Sequence, residues 1–184
     1  MKSLKDFIVG KELPAIYLDM DETIVDWYQG ADAALEKFGY PKWTHEFWKQ
    51  YTNDGADAIR WAVLNKIPHF WINLKWMKDG KKLWEFVKPY KPNILSAYSD
   101  YSPTSIPEKQ QWIAKNLGLN NLSNVHFVGR KDKKKYAVAA NGNPNLLIDD
   151  YDKNCNEFRS SGGIAIQVTN VSEVISKLKS LGFK

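Results

Sequence analysis

Apolar residues fall along this chain in two rhythms. Five short runs are almost continuously apolar and open on Pro, Asn or Gly: AIYLDM after Pro14, PNILSAYS (92–99), NVHFVG (124–129), PNLLIDD (144–150) and GIAIQVT (163–169). Runs of this length, rich in β-branched and aliphatic residues, predict strands covered on both faces. Between them the spacing becomes helical. Val171, Val174, Ile175, Leu178 and Leu181 would form one apolar stripe on a C-terminal helix. Ser105 and Glu108 have the spacing of a capping box ahead of KQQWIAKNLG, which stops at Gly118. Strand followed by helix, repeated, predicts an α/β fold with a five-stranded parallel sheet wound by right-handed crossovers.

Residues 27–90 break this rhythm. They contain no convincing buried strand, yet they hold Trp27, Trp43, Trp48, Trp61, Trp71, Trp76 and Trp84, seven of the eight tryptophans. The expectation is a small, mainly helical cap inserted after the first strand, with residues 1–26 and 91–184 forming the main core. Large rings supply most of a small lobe's buried area, so most of these tryptophans should be packing residues.

With 184 residues, 43% hydrophobic and 14% aromatic, the chain can bury one sizeable core. A net charge of +5, from 26 basic and 21 acidic residues, is mild evidence for an anionic ligand. It argues against nucleic acid as the main partner, and the run Arg130-Lys131-Asp132-Lys133-Lys134-Lys135 reads first as a solvated helix start. Cys155 stands alone, which excludes an intrachain disulfide and a cysteine zinc cluster. The opening MKSLKDFIVGKEL has no apolar stretch of signal-peptide length, and no window approaches the roughly 20 apolar residues of a membrane span. The expectation is a cytoplasmic protein with a small-molecule partner and no membrane; a homodimer is left open.

Candidate chemistry lies at two strand ends. Asp19 and Asp21 close the first apolar run, and Asp149 and Asp150 close the fourth. Residues two apart on an extended chain share a side, so Asp19 and Asp21 should project together if the strand continues through them. A single Asp at a strand end is usually a turn former or helix cap. Two pairs, brought to the carboxyl edge of a parallel sheet where ligands bind, would repel one another unless a cation sat among them. Oxygen ligands without His or Cys favour Mg²⁺.

These residues carry a resemblance. DMDET (19–23) resembles the first motif of the haloacid dehalogenase superfamily of phosphatases, ILSA (94–97) the second and LLIDD (146–150) the fourth, with an insertion where that superfamily carries a cap. Within it the chain most resembles the 5'(3')-deoxyribonucleotidases, through HFWINLKWMKDG (69–80), EKQQWIAKNLG (108–118) and GRKDKKKYA (129–137) in the same order. The resemblance implies a three-layer Rossmann-like fold and a Mg²⁺-dependent phosphomonoesterase acting on (deoxy)nucleoside monophosphates through an aspartyl-phosphate. Asp19 would be the nucleophile and Asp21 the general acid and base. Asp19, Asp149 and the main-chain carbonyl of Asp21 would hold the metal, and Asp150 would position a metal-bound water. Ser96 and the backbone at Ala97 would bind a phosphoryl oxygen. The charge-balancing lysine is Lys133 or Lys109, with Lys131, Lys134 and Lys135 left at the surface. Phe70 and Trp71 match an aromatic cluster that stacks on the nucleobase; packing under the cap is their other reading.

The chain also departs from that pattern. Glu22 stands where the nucleotidases carry glycine, Ser96 replaces threonine, and Trp76-Met77-Lys78 replaces a proline-rich turn. These differences touch the substrate more than the reaction. A sugar phosphate, a phosphoprotein or a nucleic-acid terminus are alternative substrates. A binding module without turnover is the alternative outside enzymes, against which stands the retained acid Asp21.

Overall fold

A computed structural model describes residues 13–184. In chain order its elements are β1 (Ile16–Leu18), β2 (Val25–Asp26), α1 (Trp27–Lys37), α2 (Asn53–Leu64), β3 (Lys75–Trp76), α3 (Gly80–Val87), β4 (Asn93–Ala97), α4 (Ser105–Leu117), β5 (Val125–Val128), β6 (Leu146–Asp149), α5 (Asp152–Ser160), β7 (Ile164–Gln167) and α6 (Val171–Ser180). Short 3₁₀ helices cover Glu46–Gln50, Lys88–Tyr90 and Arg130–Tyr136.

All five strands expected from the apolar runs pair in one parallel sheet of order β5-β4-β1-β6-β7. Alternate residues of each strand serve opposite layers. Leu18, Ile94, Leu146 and Ile148 pack with Trp112 and Ile113 of α4, Leu83 and Val87 of α3, and Val174 and Leu178 of α6. Leu95 and Leu147 face the other way, onto Phe158 of α5 and Ala137. Helices thus cover both faces, which explains why the runs lack alternation. Each fully buried aliphatic side chain here contributes about 1.5–3 kcal/mol.

The order of strands reverses beside β1. From β1 the chain goes to β4 and β5 on one side, then crosses to β6 and β7 on the other. The register Leu18↔Ile148 and the bond from Asp19 N–H to the Ile148 carbonyl (2.9 Å) bring the ends of β1 and β6 level at this reversal. That is where an open parallel sheet leaves a crevice for a ligand.

Between β1 and β4 lie α1 and α2, with a small second core of Leu35, Trp48, Ala56 and Val63. The hydrophobic pattern gave no sign of the two-stranded antiparallel ribbon β2–β3, only two residues per strand, which closes the base of this segment. The later helix α3 turns away from that second core and joins the main one. Of the eight tryptophans, Trp27, Trp48, Trp71, Trp84 and Trp112 are buried, in keeping with a packing role for most.

One local expectation fails. The 105–117 helix exists and ends at Gly118 in the left-handed conformation, but Ser105 and Glu108 form no capping box. Thr104 holds the cap position without a side-chain bond, so Ser105 is already the first helical residue. Its hydroxyl meets Ser99, and the Glu108 carboxylate accepts the Trp71 N–H (2.9 Å), a tertiary contact that local spacing cannot reveal.

Candidate active site

The strand carrying Asp19 stops at Leu18. Beyond it the Met20 carbonyl accepts N–H groups from Thr23, Ile24 and Val25 (3.2, 2.8 and 2.9 Å), and the chain turns tightly into β2. The two carboxylates have different lysine partners: Asp19 meets Lys133, which also binds Asp149 of β6, and Asp21 meets Lys109, which also binds Ser96 and Ala97 of β4. The turn is held from behind by Gly80, whose missing side chain lets α3 approach: a Cβ there would lie 2.9 Å from both the Cα and the carbonyl oxygen of Ile24.

On the β6 side, Asp19, Asp149 and Asp150 each offer a carboxylate oxygen within 4.8 Å of the others. Lys133, from the 130–136 3₁₀ helix, reaches into this group, with Nζ 2.7 Å from Asp19 Oδ1 and 2.7 Å from Asp149 Oδ2. Burial, and behind it the Asp149, Asp21 and Asp150 carboxylates, lift Asp19 well above the usual carboxylate range despite Lys133. Burial and then Asp149 push Asp150 up to about 7. Burial pulls the Lys133 ammonium down, but Asp19 and Asp149 together hold it above its ordinary value. Three crowded carboxylates with no His or Cys among them suit a hard divalent cation. Within the basic run only Lys133 is buried, while Lys131, Lys134 and Lys135 are exposed.

On the β4 side, Lys109 of α4 is 1% exposed and uses its ammonium fully. It donates to Asp21 Oδ2 (2.6 Å), Ser96 Oγ (3.1 Å) and the Ala97 carbonyl (2.8 Å). An ammonium has three N–H donors, so none remains for a substrate. Among the described residues Lys133 meets only its two carboxylates, which leaves one donor, and this difference separates the two lysines chemically. The other oxygen of Asp21, Oδ1, is buried and has no hydrogen-bond partner among the described residues.

Phe70 and Trp71 are 6% and 3% exposed. The Trp71 indole donates to Ser102 Oγ (3.0 Å), and the Lys109 Nζ lies 4.6 Å from its ring centroid. Trp61 stacks on Trp71 (centroids 6.0 Å apart, 24° between planes), and Tyr101 stacks on Trp61 (6.4 Å, 13°). Tyr101 is half exposed, so this aromatic stack opens to solvent at Tyr101 and not at Trp71. The segment carrying Tyr101 is tied to α2 by Asn65 Nδ2, which donates to the Tyr101 carbonyl (2.7 Å).

Glu22 has φ of 55°, in the left-handed region that favours glycine. Its carboxylate accepts the Tyr28 N–H (2.7 Å) in the first turn of α1, beside the Asp26 cap on Gln29 N–H (3.0 Å). A helix-end contact thus offsets the strained backbone. The glutamate at a glycine position has a local explanation, independent of substrate.

Asn154, which the sequence reading passed over, is a further member of the site. Buried on α5, it donates Nδ2 to both oxygens of Asp149 (3.0 Å each). Its position five residues after Asp149, on the helix that follows β6, was the available signal. Trp61 and Tyr101 left no such signal, because their stacking joins segments 40 residues apart in sequence.

Similar architecture occurs in solved structures of known proteins. A haloacid dehalogenase-like family hydrolase from Streptococcus pneumoniae superposes with a TM-score of 0.58 at 14% identity, covering 90% of this chain and 98% of that one. A predicted phosphatase from Clostridium acetobutylicum gives 0.56 at 12% identity, over 92% and 100%. A putative beta-phosphoglucomutase from Thermotoga maritima gives 0.51 at 14% identity, over 91% and 99%. No family model matches the sequence, and no curated protein matches it significantly. The switch-point site and the strand order that builds it therefore stand on a haloacid dehalogenase-like fold.

Proposed function

We propose that this protein is a Mg²⁺-dependent phosphomonoesterase with Asp19 as nucleophile. The observation that carries this is the grouping of Asp19 with Asp149 and Asp150 around Lys133, which bridges Asp19 and Asp149, with Asp21 held separately by Lys109. Asp19, Asp149 and Asp150 would hold the cation, joined on the family likeness by the Asp21 main-chain carbonyl. The cation would neutralise charge as an anionic phosphate meets a carboxylate.

The residues divide the reaction between them. An Asp19 oxygen attacks phosphorus, forming an acyl phosphate as the bond from phosphorus to the ester oxygen breaks. Lys109 fixes Asp21 through Oδ2, and Asp21 delivers a proton to the departing oxygen. Asp21 then takes a proton from the water that attacks phosphorus, phosphate leaves, and Asp19 is restored. The spare N–H of Lys133 and the Ser96 hydroxyl hydrogen are the donors for phosphoryl oxygens. Lys109 acts as a positioning residue for Asp21 and Ser96.

For the substrate we infer a (deoxy)nucleoside monophosphate. The support is the motif likeness together with the stack that runs from buried Trp71 through Trp61 to exposed Tyr101. With Phe70 and Trp71 enclosed, the base contact falls to the outer members of that stack, while the inner rings support them.

Assay of an ester panel with and without Mg²⁺ tests both levels. Nucleoside monophosphates should give the highest kcat/KM, and Asp19→Asn should abolish turnover on every ester without lowering the melting temperature. Turnover by Asp19→Asn would sink the mechanism. Preference for a sugar phosphate, a phosphopeptide or a nucleic-acid end would retire the nucleotide reading alone.

A further inference from the structure

Asp149 is fully buried, and both its oxygens are already occupied by protein donors. Oδ1 accepts the Tyr151 N–H (2.9 Å) and the Asn154 amide (3.0 Å); Oδ2 accepts Lys133 (2.7 Å) and the same amide (3.0 Å). Asn154 thus orients the carboxylate, provided its own NH₂ end faces Asp149.

A carboxamide is nearly symmetric in shape, and its partners decide which end faces which way. Turned around, Asn154 would present its carbonyl oxygen to the Asp149 carboxylate, acceptor against acceptor. Arg130 prevents this. Its NH1 donates to Asn154 Oδ1 (2.9 Å), and a guanidinium can only donate. Arg130 is itself held by a fork to Glu157, with NH1 to Oε2 at 3.2 Å and NH2 to Oε1 at 3.1 Å. The fork joins the 130–136 3₁₀ helix, which carries Lys133, to α5, which carries Asn154.

We propose that Arg130, set by Glu157, is a positioning residue for the cation site: it fixes the Asn154 amide and through it the Asp149 carboxylate. Arg130 does not contact the Asp19, Asp149 and Asp150 oxygens and takes no part in proton transfer. This rests on the reading of those three carboxylates as a cation site. Partners that orient a metal-binding carboxylate typically change metal affinity by about 10–100-fold when removed.

Calorimetric titration of Mg²⁺ into substrate-free protein, with melting temperatures recorded in parallel, tests the proposal. Arg130→Met should weaken Mg²⁺ by about 10–100-fold. The exchange Arg130→Glu with Glu157→Arg should recover melting temperature by restoring an ion pair across the two helices. It should not recover Mg²⁺ affinity, because a carboxylate at position 130 cannot donate to Asn154 Oδ1. Unchanged affinity in Arg130→Met overturns the proposal, as does an exchange variant that regains affinity together with stability. Wild-type protein that binds no Mg²⁺ overturns it too, along with the metal reading. Wild-type protein that binds Mg²⁺ yet hydrolyses no ester retires the proposed reaction and leaves this inference standing if Arg130→Met weakens binding.

Discussion

Lys133→Met is the substitution for which the structure sets the clearest magnitude. Lys133 is 2% exposed, and its ammonium is the only cation within 4 Å of Asp19 or Asp149 among the described residues. Methionine keeps most of the stem volume, so the change isolates the charge. Removing one partner of a buried ion pair typically costs about 3–5 kcal/mol, because the other charge stays buried and uncompensated. At about 2–4 °C per kcal/mol for a chain of this size, the melting temperature should fall by about 6–20 °C without a divalent ion. The wild-type ammonium has its pKa raised in the folded state, so its contribution is complete below the ordinary lysine value of about 10.4 and disappears only as pH rises through the raised value. Neutral solution therefore reports all of it. In the variant, protonating Asp19, whose proton affinity burial and its acidic neighbours raise, relieves the repulsion, so the loss should be smaller in mildly acidic buffer than in mildly alkaline buffer. Mg²⁺ should return part of it. Differential scanning calorimetry across that pH range, with and without Mg²⁺, measures these effects. A drop of less than about 2 °C without metal, well below what a buried pair predicts, would refute the electrostatic reasoning. So would a loss that grows on acidification.

Asp150, with its folded pKa at about 7, gives a second pH signature. Between the ordinary value of about 3.9 and that raised value the native state holds a proton that the unfolded state has lost, so metal-free stability should fall as pH rises through this window. Asp150→Asn should flatten the slope of melting temperature against pH. Glu22→Ala removes the helix contact but keeps a strained left-handed residue, and should cost about 0.5–2 kcal/mol in denaturant titrations. Glu22→Gly also loses the contact but relieves a backbone cost of about 1–2 kcal/mol, and should be close to neutral. Gly80→Ala should cost about 1–3 kcal/mol by pressing a methyl group on the Ile24 backbone, and should lower kcat more than it raises KM because that turn carries Asp21. Tyr101→Ala should raise KM for nucleoside monophosphates by about tenfold, within the 1–3 kcal/mol worth of one stacking contact, while a simple aryl phosphate is unaffected.

The strands were legible because covering a sheet on both faces demands unbroken apolar runs. Leu146, Leu147 and Ile148 could hardly be anything but buried. The α6 stripe was legible for a similar reason, since burial on one side imposes the helical period on residues close in sequence. Both signals are local. The capping-box reading of Ser105 and Glu108 shows where local spacing stops: in three dimensions Ser99 and the Trp71 N–H are the partners of the two side chains, and Thr104 takes the cap position. Asp19 and Asp21 show the same limit, since their spacing does not reveal that one meets Lys133 and the other Lys109.

By itself the sequence determined that a parallel sheet ends in two acidic pairs, because apolar runs and the carboxylates that close them are adjacent in the chain. It named Lys109 and Lys133 without distinguishing them, since each is one lysine among many until its acceptors are known. Only the tertiary structure could give Lys109 three protein acceptors and leave Lys133 a free donor, because those acceptors come from segments 12 to 114 residues away. The same holds for the stack from Trp71 to Tyr101 and for the Arg130–Asn154–Asp149 relay. A hydrogen bond or a stacked ring is specified by distance and direction in space, and neither is written in the order of residues.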